Sequence, residues 1–168
     1  TYKAARTRFT NSVMDDLDGM VATWAYEQSM IERRSINLFR KTLNGDDERF
    51  LAAGIARIKE LANAQPSKHL VLDVGAGFQD APSAIRLHAD YAVVALTATP
   101  EVAHQRITAA RNDTRTFQQY TDSEYNAHRL AVYASAHKSI DTTHQSQKQT
   151  LKEFVGVVGQ LLSDTPAN

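Results

Sequence analysis

The sequence predicts an α/β fold with a mainly parallel sheet, and three observations carry that prediction. His69-Leu-Val-Leu-Asp-Val74 is a near-continuous apolar run, the pattern of a strand buried on both faces. Tyr91-Ala-Val-Val-Ala-Leu96 is a second such run. Segments of helical spacing alternate with these runs, as strand–helix units require. No internal repeat and no linker divides the chain. Residues 1–168 therefore read as one domain, with a tail over 164–168.

Each element has its own signal. Val13 and Met14 run into Asp15, Asp16 and Asp18, which predicts a short strand over 12–15 ending in an acidic loop. Val21, Trp24, Met30, Ile31, Leu38 and Phe39 recur at helical intervals, predicting one helix from about Met20 to Leu43. Asn44-Gly45 ends it, because that pair favours the left-handed backbone that stops helices. Asp46 and Asp47 are candidate caps for the next helix, whose apolar face is Phe50, Leu51, Ile55, Ile58 and Leu61.

Pro66-Ser67 breaks that pattern before the first buried strand, which runs directly into Gly75-Ala76-Gly77. A short helix is predicted over Pro82–His88, then the second buried strand. Pro100 at a first helical position opens a helix through Arg111. Asn112–Gln119 is polar and aperiodic and reads as a mobile segment. A helix over Ser123–Lys138 follows, with Ser123 as a candidate cap. Ser139-Ile-Asp-Thr-Thr143 reads as a last short strand, and Ser146–Leu162 as a terminal helix.

Composition excludes several classes of function. Nineteen basic residues balance nineteen acidic ones, which argues against a nucleic-acid groove or an anionic membrane as main partner. A local basic pocket for a small anion stays compatible with that balance. The absence of cysteine removes disulfide scaffolds and thiolate zinc sites. No apolar run approaches the ~20 residues of a membrane span, and no signal-peptide pattern is visible. The expectation is a soluble cytoplasmic protein. The six histidines lack metal-binding spacing, no Gly-x-Ser-x-Gly elbow occurs, and the aromatics are too dispersed for a base-stacking platform.

Four groups of residues are candidates for chemistry. Asp16 and Asp18 lie just past a strand, at the end where α/β proteins bind ligands. One carboxylate there can take a hydroxyl proton and another can approach Mg²⁺ through water. They also read as a solvated acidic loop, or with Asp18 capping the following helix. Gly75-Ala-Gly77 lets a backbone approach a ligand, or simply turns. Arg129 and Tyr133 share a helix face; the guanidinium suits a carboxylate or phosphate, or packs along the tyrosine. Arg106, Arg111 and Arg115 bracket the aperiodic segment, as a cationic lid (about 111–122) would, or as scattered surface charge.

Taken in order, these motifs resemble the shikimate kinase family over nearly the whole chain. The strand end Met14-Asp-Asp16-Leu-Asp18 is similar to that family's Asp-x-Asp. Ser35-Ile-Asn-Leu-Phe39 and Gly45-Asp-Asp-Glu-Arg49-Phe50 resemble the stretches that follow it. Gly75-Ala76-Gly77 corresponds to its triple-glycine turn. Val93 to Glu101 with Arg106, then Arg129-Leu-Ala-Val-Tyr133, then Ser139–Thr143 and the last helix complete the series.

The resemblance implies a three-layer sandwich of the P-loop kinase type. It implies ATP and Mg²⁺ as cofactors and phosphoryl transfer to a hydroxyl of a small, carboxylated substrate. By the same carry-over, Asp18 would be the catalytic base and contact the substrate hydroxyls. Asp16 would lie near Mg²⁺. Gly75, Ala76 and Gly77 would present backbone N–H groups to the substrate. Arg49 and Arg129 would bind it, and Arg111 and Arg115 would reach the phosphates, with Arg115 acting in catalysis.

The chain departs from the family in four places. Phe-Arg is reversed to Arg49-Phe50. Ala53 or Gly54 stands where an acid follows. Asn112-Asp-Thr-Arg115 replaces the lid's Arg-Pro, and Ala76 replaces the central glycine. The phosphate loop Gly-x-x-x-x-Gly-Lys-Ser/Thr, whose backbone N–H groups and lysine hold phosphates, occurs nowhere. In the family it ends ~15 residues before the first Asp of Asp-x-Asp, which lands on Thr1. Thr1 is thus a candidate for the last, Mg²⁺- and nucleotide-contacting residue of such a loop, in a longer chain with Tyr2–Phe9 as the helix after it. The family's central strand would precede it. Without that strand, the two buried strands must pair directly or leave ladder groups unsatisfied. The competing expectation is a reduced sheet in a ligand-sensing domain that does no chemistry.

Overall fold

The computed structural model describes residues 12–164, which pack as two compact units meeting in sequence between Ala84 and Ile85. Thr1, the expected helix over Tyr2–Phe9 and the tail from 165 onward lie outside the described residues.

In the first unit, β1 (Ser12–Asp16) pairs in parallel with β2 (His69–Asp73), in a register from Ser12 opposite His69 to Asp16 opposite Asp73. Both strands therefore end at the same level, and that end carries the acidic motif. α1 (Leu17–Glu27) starts directly from β1, because the Asp16 carboxylate accepts the Asp18 N–H at 3.1 Å. An N-cap carboxylate satisfies a donor that the first turn leaves open. The expected start at Met20 is thus corrected to Leu17, and Asp16 rather than Asp18 is the cap.

The single helix expected over 20–43 is two helices. α1 ends at Glu27, Ser29 takes a left-handed φ of 56°, and Ser35 caps α2 (Ile36–Thr42) by accepting from Leu38 N–H. The apolar spacing runs across this break because Ile31, on the connecting turn, is buried too. Asn44 and Gly45 both adopt positive φ, as expected for a helix stop. Asp46 caps α3 (Asp47–Ala64) through Arg49 N–H at 3.0 Å.

The buried face of α3 is Phe50, Leu51, Gly54 and Ile58. Phe50 stacks on Phe78 with ring centres 4.3 Å apart, and Phe39 leans on Phe50 at 6.2 Å. This aromatic stack, with Met14, Leu17 and Val21, forms the core of the unit. Trp24 meets Phe39 edge-on at 5.7 Å.

β2 is half-exposed over His69–Leu72 rather than buried on both faces. The reason is its pairing: β1 is its one strand neighbour among the described residues. The segment after it is two short 3-10 turns, Ala76–Asp80 and Ala84–Arg86, followed by α4 (Leu87–Asp90), in place of one helix over 82–88.

In the second unit, β3 (Val94–Thr97) pairs in parallel with β4 (Lys138–Asp141). Both are shorter than their apolar runs suggest. The two described sheets are therefore two-stranded parallel pairs, one in each unit. α5 (Pro100–Arg111) begins with proline in its first turn and stops where Asn112 turns left-handed, φ 51°.

The expected aperiodic segment contains α6 (Phe117–Glu124). Thr116 and Gln119 form a reciprocal capping box, a device that satisfies two open donors at once. Tyr120 is buried, with its ring 5.1 Å from His104. α7 (Ala127–Ala134) is capped by Asn126, not by Ser123, whose hydroxyl serves Arg115 and the Tyr120 carbonyl. It is half the expected length. α8 (Gln147–Asp164) packs on β4. Ile140, Val132, Phe154 and Val158 form this unit's core. Among the described residues no helix is long and apolar enough to cross a membrane.

Candidate functional site

The parallel register puts the acidic end of β1 beside the chain leaving β2. The Asp18 carboxylate lies against Gly75: a Cβ built there would sit 2.3 Å from Asp18 Oδ2 and 2.7 Å from its Oδ1. The backbone of Gly75 is ordinary, with φ −58° and ψ 148°. Glycine is required there for space rather than for conformation. Two residues on, a Cβ at Gly77 would sit 2.9 Å from Arg40 Nη1. A carboxylate and a guanidinium thus flank one three-residue strip of backbone, whose middle residue is Ala76.

Sequence reasoning missed Arg40. Its Nη2 donates to Asp47 Oδ1 at 2.6 Å and lies 3.3 Å from Asp80 Oδ2. Its guanidinium carbon lies 5.1 Å from the Phe50 ring centre, a cation–π placement that fixes a long side chain. The signal was present as Phe39-Arg40, a Phe-Arg pair ten positions before the reversed Arg49-Phe50. Arg49 itself is exposed on the first turn of α3. Glu48 fixes the far end of the turn by accepting from both Ser83 N–H (2.7 Å) and Ser83 hydroxyl (2.5 Å).

Asp16 uses Oδ1 for the α1 cap. Its other oxygen accepts from no described residue, and so fits a single water-mediated contact to a hard cation. Among the described residues no three acidic or imidazole groups gather into a metal-binding set.

The second unit holds the remaining candidates. Arg129, on the first turn of α7, is buried and donates to Glu124. Arg115 Nη1 binds the same carboxylate at 2.8 Å through its other oxygen. Arg115 also grips Asp113 through Nε and Nη2, the latter at 2.6 Å. That fork holds the Asp113 carboxyl down to about 2, and Asp113 and Glu124 raise the Arg115 guanidinium further. Asp113, Arg115, Glu124 and Arg129 thus form a chain of alternating charge.

Arg111 is exposed and makes no ion pair with a described residue. Arg106 is not a lid group: it donates to Thr142 Oγ1 at 2.9 Å and to the Thr142 carbonyl at 2.7 Å, locking the loop after β4 to α5. Tyr125 donates to the Ala98 carbonyl at 3.0 Å, and burial pushes its hydroxyl up to about 12.

No family model matches the sequence, and no curated protein matches it either. A solved structure does. The crystal structure of shikimate kinase from Bacteroides thetaiotaomicron superposes with a TM-score of 0.61 over 96% of this chain and 89% of that one, at 18% identity. The chain has a shikimate-kinase-like fold. Within that shikimate-kinase-like frame, the strip from Gly75 to Gly77 with Asp18 and Arg40 occupies the first unit. The linked arginines Arg115 and Arg129 belong to the second.

Proposed function

We propose that this chain binds a small hydroxylated carboxylic acid and phosphorylates one of its hydroxyls, in the manner of a shikimate-kinase-like phosphotransferase. The observation that carries the reading is Asp18 held against Gly75. A carboxylate beside open backbone can accept a ligand hydroxyl proton while the ligand lies flat on the glycine strip. Arg40 offers a guanidinium for the ligand's carboxylate, and Arg129 is the carboxylate contact that the family resemblance implies. ATP would supply the phosphoryl group, with Asp16 holding Mg²⁺ through water; in such transfers the protein chiefly positions groups and neutralises charge. Thr1, Arg111 and Arg115 are the proposed nucleotide contacts.

The reading needs a phosphate-binding segment outside residues 12–164. The half-exposed apolar run Leu70-Val71-Leu72 supports one, because a strand added to β2 would cover it. We place the protein in the cytoplasm, with no nucleic-acid or membrane partner.

The second reading is a non-catalytic domain that senses the same acid. Arg115 favours it, since Asp113 and Glu124 already hold its guanidinium.

A thermal-shift series separates the two. Shikimate, quinate and related hydroxy acids are tested alone and with ATP–Mg²⁺. The kinase reading expects stabilisation by acid, a further rise with nucleotide, and acid-dependent ADP release that Asp18→Asn abolishes. Stabilisation by acid with no nucleotide effect selects the sensor. An Asp18→Asn variant that still turns over removes Asp18 as the base. No effect of any acid refutes both.

A further inference from the structure

Glu124 sits between two arginines, each of which has a proposed role toward an anion. One oxygen takes Arg115 Nη1 at 2.8 Å, and the other takes Arg129 Nη1. The Arg129 side chain is buried and that of Glu124 is largely so. A carboxylate held this way by a buried guanidinium has the geometry that an incoming ligand carboxylate would seek.

We infer that Glu124 is a built-in carboxylate competitor for Arg129, which sets the affinity for an acidic ligand and couples its binding to the lid. The inference rests on the reading that Arg129 grips a ligand carboxylate.

The pairing supports it. Asp113, Arg115, Glu124 and Arg129 alternate in charge along these ion pairs. An added carboxylate at Arg129 either shares the guanidinium with Glu124, against like-charge repulsion at close range, or displaces it. Displacement leaves Glu124 with Arg115, whose Nη1 already holds one of its oxygens. Because Glu124 ends α6 and Arg115 lies in the loop before it, Arg129 occupancy is transmitted to the segment 112–124. The lid is fastened at a second point: His104 Nε2 lies 3.0 Å from the Arg115 carbonyl. Loss of the Glu124–Arg129 pair should therefore loosen the lid rather than unfold it.

The test compares wild type, Glu124→Gln and Asp113→Asn in the full chain, with shikimate as probe. Calorimetric titration gives the Kd, and amide hydrogen exchange over 112–124 reads the lid without ligand. Glu124→Gln should lower Kd by about tenfold and speed exchange in that segment. Asp113→Asn leaves the Glu124–Arg129 pair intact and should hold Kd within about twofold. An equal gain in Asp113→Asn would assign the effect to net charge and overturn the inference. So would an unchanged or weaker Kd in Glu124→Gln when wild type binds. Exchange that Glu124→Gln leaves unaltered overturns the coupling whether or not shikimate binds. Failure of shikimate to bind any of the proteins, with exchange faster in Glu124→Gln, would refute the ligand role of Arg129 and with it the competition. The lid contact alone would then stand.

Discussion

The Asp18 carboxylate occupies the space where a side chain at Gly75 would begin: a Cβ there would sit 2.3 Å from Oδ2. Gly75→Ala therefore forces the short Asp18 side chain aside while leaving a backbone that alanine adopts freely. The variant should stay folded, because the overlap is with one side chain and not with backbone. Binding of hydroxy acids should fall to the level of Asp18→Asn. Titration of both variants beside a denaturant melt checks this, and retained binding in Gly75→Ala would remove Asp18 from the site.

Arg40 and Arg49 separate the folded geometry from the motif order. Arg40 lies at the Gly77 strip and Arg49 is exposed on α3. Arg40→Lys keeps a charge but loses the planar fork, and should weaken acid binding about tenfold. Arg49→Lys should leave it within about twofold. The reverse ranking would restore Arg49 as the substrate arginine.

Gly54 tests the support beneath the site. A Cβ there would meet the fully buried Phe78 ring at 2.7 and 3.1 Å. Phe78 is sandwiched against Phe50 and cannot retreat cheaply. Alanine's better helix propensity offsets part of the overlap. Gly54→Ala should still destabilise by about 1–3 kcal/mol, read as a lower urea midpoint at unchanged slope.

Asp113 predicts an acid dependence. Arg115 depresses its carboxyl from the ordinary 3.8 to about 2. A carboxyl whose pKa is lowered by folding stabilises the fold above its unfolded pKa. That contribution fades as pH falls through the folded value. Wild type should exceed Asp113→Asn in stability at pH 7, with the difference shrinking from about pH 4 toward pH 2. Urea midpoints measured across that range check it. A pH-independent difference would show that the ion pair carries none of it.

Much of the local structure was legible because its signals are local. Asn44-Gly45 stops a helix, Asp46 caps one, Pro100 opens one, and strands alternate with helices. The helix over Phe117–Glu124 was missed, because its polar composition hid the capping box of Thr116 and Gln119. The helix expected across 20–43 failed for the opposite reason. Periodicity records which residues are buried, and Ile31 is buried from a turn.

By itself the sequence determined the α/β class, the order of the four described strands, the acidic end of β1 and the glycine strip after β2, because adjacent residues specify each of them. Only the tertiary structure decided which side chains meet. The β1–β2 register sets Asp18 on Gly75, the aromatic stack carries Arg40 to Gly77, and the turn into α7 ties Glu124 to Arg129 and Arg115. These contacts depend on packing between segments, and no spacing along the chain encodes packing distances.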